Sequence, residues 1–261
     1  LFQAEDGIRD MMKRLLLLTA VVFTFVASAL AQEEGGSILG FKGGLAMTNQ
    51  QWTGVERQPL FLPQGDFFVE DIPTNNMFAL FASLGYHPKG SALRNAWFNS
   101  PFNNQLTRVP PTRFVFHNLS LILGAKQKFD FGSNSETRWF YSFGLRGDYT
   151  IANNLNEFDE INAVGLGVTT FPVDDPTYIR EINYGVSIGG GIEYSLSEFV
   201  GLSIEFNVHP DFSFQYEQPE IRDVTDPFTS QLTSIPERQI RNLALELSVG
   251  LRFLRKVIYV D

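Results

Sequence analysis

Cysteine is missing from the 261 residues. That absence excludes disulfides, thiolate metal sites and an amino-terminal lipid anchor on cysteine. Histidine occurs three times, on separate stretches and without helical or ribbon spacing, so no histidine-based metal site is expected. Beyond residue 31 no run of roughly 20 consecutive apolar residues occurs, which excludes a helical membrane protein. Charged residues make up only 19%, and acids exceed bases to leave a net charge of -9. A nucleic-acid surface would be basic, so no DNA or RNA partner is expected. No linker, low-complexity tract or 20-to-50-residue repeat divides the chain. What the chain does have is phenylalanine, 25 of them, recurring near the ends of alternating segments.

The clearest such segment is Asn242 to Phe253. Leu243, Leu245, Leu247, Val249, Leu251 and Phe253 fall on one face at period two, with Asn242, Ala244, Glu246, Ser248, Gly250 and Arg252 on the other. Strict alternation of this length is a strand, because a helix would scatter the same leucines around its circumference. Seven further runs read in the same way: Ile38 to Thr48, Leu60 to Glu70, Met77 to His87, Phe114 to Phe131, Arg138 to Ile151, Ile182 to Tyr194 and Phe199 to His209. The second is the weakest, since Pro63 and the Phe67-Phe68 doublet blur its alternation.

The connections alternate in length. Glu70 to Asn76, Gly132 to Thr137 and Ser195 to Glu198 are short polar turns, whereas Pro88 to Thr112, Ala152 to Glu181 and Pro210 to Gln239 are long and hold ten of the thirteen prolines. An even number of antiparallel strands with short turns at one end and long loops at the other is the plan of a bacterial outer-membrane barrel, short turns periplasmic. The expected fold is therefore all-β, an eight-stranded antiparallel transmembrane barrel of up-and-down topology.

Period two does not say which face points inward. A soluble lipocalin-like barrel would carry long lysines and glutamates on its outer face. Here the polar faces are small at mid-strand, as at Ser142 and Gly144 or Ser187, Gly189 and Gly191, which suits the cramped lumen of an eight-stranded barrel. The charges on that face come in both signs: Lys42, Lys126, Lys128, Arg146 and Arg252 against Asp130, Asp148, Glu193, Glu205 and Glu246. They read as a buried salt-bridge network that plugs the lumen, because one charge of such a pair left alone costs about 3 to 5 kcal/mol. Aromatic belts are expected at Tyr86, Phe114, Phe116, Tyr149, Tyr184 and Phe206 on the outer side, and at Phe129, Phe131, Trp139, Tyr194 and Phe199 on the periplasmic side.

At the amino terminus, Met12-Lys13-Arg14, the apolar run Leu15 to Leu30 and Ala29-Leu30-Ala31 have the three parts of a secretory signal, with cleavage expected after Ala31. Residues 1–10 precede the basic region with three acids and resemble a translated sequencing adapter, so they are set aside. The expected division is 1–10 adapter artefact, 11–31 signal peptide and 32–261 barrel, the last exported to the outer membrane of a Gram-negative bacterium.

The signal-like segment, Gly40-Phe41-Lys42-Gly43-Gly44-Leu45, Leu84-Gly85-Tyr86-His87-Pro88-Lys89-Gly90 and the run Leu119 to Lys128 together resemble the PorT-like outer-membrane β-barrel domain proteins common in Bacteroidota. The resemblance extends over essentially all of the chain from Gln32 onward. It implies a barrel in the outer membrane and brings no catalytic residues. The family's namesake is linked to protein secretion and gliding. The expected partners are outer-membrane lipid and an extracellular or secretion-system protein, and the barrel is expected to be a monomer.

Candidate chemistry is sparse. His87, His117 and His209 fall at the outer rim, and His87 and His209 share the polar side with Asp211, so a rim protease or lipid deacylase using a histidine base is one alternative. A small pore through the lumen charges is another. Asp159-Glu160, Asp174-Asp175, Glu217, Glu220, Asp223 and Asp226 lack the spacing and loop glycine of a calcium hand and read as solvated acids. Gly189-Gly190-Gly191 lies within a strand with no following Lys-Ser/Thr, so it marks a bend or close side-chain packing in the barrel and not a phosphate loop. The expected role is structural or interactive and not enzymatic, with no cofactor or metal.

Overall fold

A computed structural model describes residues 36–53, 56–72, 78–94, 97–99, 106–108, 111–130, 136–158, 174–225 and 230–255. Its strands are β1 (Ser37–Trp52), β2 (Gln58–Asp71), β3 (Phe78–Tyr86), β4 (Lys89–Leu93), β5 (Trp97–Asn99), β6 (Leu106–Arg108), β7 (Thr112–Asp130), β8 (Thr137–Asn153), β9 (Ile182–Ser195), β10 (Val200–Pro210), β11 (Tyr216–Gln218), β12 (Ile221–Thr225), β13 (Leu232–Ile235) and β14 (Arg238–Arg255). Two short 3-10 turns, Leu155–Phe158 and Pro176–Tyr178, are the helical elements among the described residues. The expected adapter and signal segments, Phe131, Asp159-Glu160 and Asp226 lie outside the described residues.

The ring runs β1, β2, β3, β7, β8, β9, β10, β14 and returns to β1, every neighbour antiparallel: an eight-stranded up-and-down barrel. The register can be followed around it. Met47 faces Leu245, then in turn Val208, Ile188, Phe143, Ala125 and Leu80. Leu80 lies one step past the Phe81–Glu70 pair, opposite Asp71, and Asp71 faces Ser37. The path closes on β1 ten residues from its start, from Met47 to Ser37. Such a stagger tilts the strands to roughly 35–45° and leaves an interior just wide enough for side chains.

The apolar stripes face outward. Leu45 and Leu247 are each 57% exposed, Leu145 66% and Phe61 69%, and Phe41, Phe143, Ile188 and Ile204 join them around the wall. In water this surface would be untenable, so the wall has the polarity of a transmembrane barrel and not of a soluble one. Trp139, Tyr194 and Phe199 are exposed at the end with the short turns, and Tyr86, Tyr184 and Phe206 towards the other.

Two expectations are corrected at the outer end. Phe114 and Phe116 are fully buried and do not join the outer belt. They occupy the inward parity of β7 and form a core with Trp52, Leu93, Leu155, Phe158, Tyr216 and Ile240 above the lumen. Trp52 meets Phe114 edge-on at 4.8 Å between centroids, and Phe158 stacks on Phe114 at 4.5 Å. The segment after His87 is not a loop from Pro88 onward. β4 continues β3 along β7, with Lys89 opposite Phe116 in unbroken register from Tyr86 opposite Leu119. On the β2 side the register slips by one between Gly65–Tyr86 and Pro59–Ser91. That bulge lets the strand bend and continue past Pro88, and it takes in Pro63, whose ring cannot donate to a ladder.

Candidate functional site

The inward parity of the ring strands brings the charged side chains together in two tiers. In the tier nearer the short turns, Lys42 Nζ lies 2.7 Å from Glu205 Oε2. Lys126 Nζ lies 3.2 Å from both Glu205 and Glu70 and 3.9 Å from Glu193. Lys128 pairs with Glu70 and, at 2.9 Å, with Glu193. Arg252 Nη1 reaches Glu193 at 2.8 Å. The Lys126 ammonium also sits 4.5 Å from the Phe140 ring centroid and 5.4 Å from those of Phe68 and Phe81. These inward aromatics fill the width that small neighbours leave: Gly124 lies so close to Phe81 that a Cβ there would be 2.8 Å from the ring. Desolvated cations over ring faces gain more than exposed ones.

In the outer tier, Lys89 Nζ lies 2.5 Å from Asp148 Oδ2 and 2.8 Å from Asp211 Oδ1. Arg146 pairs with the same two acids, its Nε 3.2 Å from Asp148. His87 bridges two carboxylates, Nε2 at 2.6 Å from Asp66 and Nδ1 at 2.7 Å from Glu246. His209 Nε2 takes the other oxygen of Glu246 at 2.9 Å. Hydroxyls complete the acids: Ser120 donates to Asp148 at 2.5 Å and Ser83 to Asp66 at 3.1 Å.

The two tiers differ in charge. Lys42, Lys126, Lys128 and Arg252 face Glu70, Glu193 and Glu205 in one, while Lys89 and Arg146 face Asp66, Asp148, Asp211 and Glu246 in the other. Taken together the two tiers have one carboxylate more than they have lysines and arginines. Both nitrogens of His87 point at carboxylate oxygens, and a neutral imidazole can donate through one only. A protonated His87 satisfies both bonds and balances the charge of the two tiers.

Asp130 does not enter this network. It lies at the rim of the short-turn end and accepts from Arg138 Nε at 2.9 Å, its own side chain largely exposed and that of Arg138 partly so. Sequence reasoning missed Asp66, Glu70, Lys89 and Asp211 as lumen residues, and placed His87 and His209 at the rim. Asp66 and Glu70 sit on the blurred second strand, though both share the even parity of Gln64 and Phe68. Lys89 and Asp211 each follow a proline that was read as a strand end. His117 points outward instead, its Nδ1 2.5 Å from the Tyr86 hydroxyl.

Glu217, Glu220 and Asp223 of the connections are exposed. Glu217 pairs loosely with Arg180 at 3.5 Å and Glu220 with Arg222 at 3.0 Å. Asp175 caps the 3-10 turn at Pro176, accepting from the Thr177 amide at 2.8 Å, and this bond holds its carboxyl below the usual range. Among the described residues no group of three or more His, Asp or Glu side chains is arranged to hold a metal ion.

No family model matches the chain, and no curated protein matches it either. Among solved structures, Neisserial surface protein A is similar at 10% identity, with 83% of this chain and 96% of that one covered and a TM-score of 0.43. The outer membrane protein OprG of Pseudomonas aeruginosa gives 9%, 84% and 97%, and 0.48. The attachment invasion locus protein Ail of Yersinia pestis gives 10%, 84% and 99%, and 0.40.

Proposed function

We propose that this chain is an integral outer-membrane barrel with a structural or interaction role, which presents its long connections outside the cell above a sealed lumen. The observation that carries this reading is the filled interior: two tiers of paired charges with three aromatic rings among them, closed at the far end by the Trp52–Phe114 core. So dense an occupation supports a lumen without a continuous water path. Function is then left to the two surfaces, lipid around the wall and a protein or other ligand at the long-loop end. The PorT-like resemblance and the signal-like residues 11–31 support export to the outer membrane of a Gram-negative bacterium, with a monomeric barrel and an extracellular or secretion-system protein as partner. A rim hydrolase is the weaker reading, because His87 and His209 are buried and engaged by carboxylates instead of facing an open cleft.

Two measurements test the proposal together. A folded barrel is expected in the outer-membrane fraction with a gel mobility that changes on boiling, and purified protein is expected to be silent in planar bilayers. Discrete conductance steps that persist in a well-folded preparation would replace the sealed barrel with a pore.

A further inference from the structure

Above the outer tier, the inner face of the barrel mouth gathers two arginines against one indole. Arg57, just before β2, is 6% exposed, and its guanidinium carbon lies 4.1 Å from the Trp52 ring centroid and 3.9 Å from that of Phe114. Those rings meet edge-on, so the guanidinium occupies the corner between them. Its Nε donates to Ser91 Oγ at 3.1 Å. Both terminal nitrogens, Nη1 and Nη2, are buried and find no acceptor. Arg238, 3% exposed, brings a second guanidinium to 5.9 Å from the same Trp52 ring. Burial, and then the nearby Arg238 charge, push the Arg57 guanidinium down to about 9.

The arrangement is built into the barrel and is not an accident of one side chain. Ser91, having accepted from Arg57, donates to Gln50 Oε1 at 2.7 Å, and Trp52 Nε1 donates to the same oxygen at 3.3 Å. Gln50 Nε2 donates to Asn242 at 3.1 Å, and Asn242 donates to Asp211 at 2.9 Å, the acid that holds Lys89 and Arg146. Arg57 is thus positioned by a chain of hydrogen bonds reaching down to the lumen charges. A planar fork of free donors, held on aromatic faces and beside a second cation, matches the geometry of a paired-oxygen anion.

We propose that the mouth of the barrel is a binding site for a carboxylate or sulfate group, with Arg57 as the bidentate donor, Arg238 as the second cation, and the Trp52 and Phe114 faces as walls. The site goes beyond the sealed-barrel reading, and that reading enters only in making the ligand an extracellular one.

The test uses the full chain folded in detergent micelles, titrated calorimetrically with sodium sulfate, with sodium glucuronate and with glucose, at ionic strength held constant with chloride. Saturable binding of sulfate, glucuronate or both is expected, with glucose inert. Response to glucuronate alone identifies a sugar-borne carboxylate, and response to both identifies the bare anion group. Arg57→Gln is expected to weaken binding roughly tenfold or more, the loss of a charge-assisted pair of bonds. Arg238→Gln is expected to weaken it less, and Arg180→Gln, an exposed change elsewhere, not at all. Should Arg57→Gln fail to fold, Arg57→Lys keeps the charge but not the fork and is expected to lose affinity as well. The proposal is overturned if neither anion binds the wild type, if glucose binds as well as glucuronate, or if both Arg57 variants that fold bind undiminished. None of these failures bears on the sealed lumen, which is read by conductance.

Discussion

Nδ1 of His87 lies 2.7 Å from one oxygen of Glu246, while the other oxygen of that carboxylate takes Nε2 of His209 at 2.9 Å. A single acid on β14 thereby ties β10 to the end of β3 across the lumen. Glu246→Ala should cost about 3 to 5 kcal/mol, because it leaves a buried imidazolium short of a partner and His209 without its acceptor. His87→Ala in the Glu246→Ala background should then cost much less than His87→Ala alone, a coupling that urea midpoints of the heat-modifiable band would measure. Strictly additive losses would mean the two residues are not energetically linked.

Lys126 touches three carboxylates and three rings, so its removal should be among the most damaging single changes. Lys126→Ala is expected to destabilise by about 3 to 5 kcal/mol, with Glu70, Glu193 and Glu205 left to share the remaining bases. Lys126→Met keeps much of the length against Phe140 but not the charge. Pairing it with Glu205→Gln should recover part of the loss by removing the carboxylate it strands. If Lys126→Met alone unfolds at the wild-type urea concentration, the ammonium contributes nothing and the tier is held by packing.

Much of this architecture was legible because barrel strands alternate and the alternation is unbroken where it matters most. β14 reads as two clean faces, and its neighbours β1 and β10 each place a charge of known parity beside it, so Lys42 and Glu205 could be put on one side before their contact was known. Legibility failed where backbone geometry departs from the simple strand. The one-residue slip between β2 and the β3–β4 strand hid Asp66 and Lys89 behind prolines, and Asp211 was lost in the same way after Pro210. Asp130 has the right parity but the wrong depth, which alternation does not encode. Phe114 and Phe116 were misplaced because an inward aromatic just above the lumen and an outward one at the lipid boundary look alike in composition and differ only in parity.

The Asp175 cap offers a test outside the membrane. Its carboxyl is held below the usual range by the Thr177 amide and hydroxyl, so its stabilising effect on the Pro176–Tyr178 turn is fully present above the ordinary aspartate range. That effect should fade as pH falls through the lowered value. An NMR titration is expected to show the Asp175 carboxyl and the Thr177 amide moving together below the ordinary aspartate value of 3.8. An Asp175 carboxyl titrating at or above 3.8 would show that the cap is not formed in solution.

The outward face gives the sharpest discrimination. Leu145 is 66% exposed on β8, midway between the exposed Trp139 and Ile151 of the same strand. On a wall facing water, Leu145→Arg would be nearly silent, within about 0.5 kcal/mol, as most surface substitutions are. On a wall facing lipid it should cost roughly 2 to 4 kcal/mol near the midplane. The inward neighbour Ser142 supplies the opposite control: Ser142→Leu places bulk beside Lys126 in the narrow lumen, where overpacking costs about 1 to 3 kcal/mol in either solvent. Refolding into bilayers, with urea midpoints compared for the two variants, separates the cases. A Leu145→Arg barrel as stable as the parent would mean that lipid does not touch this wall.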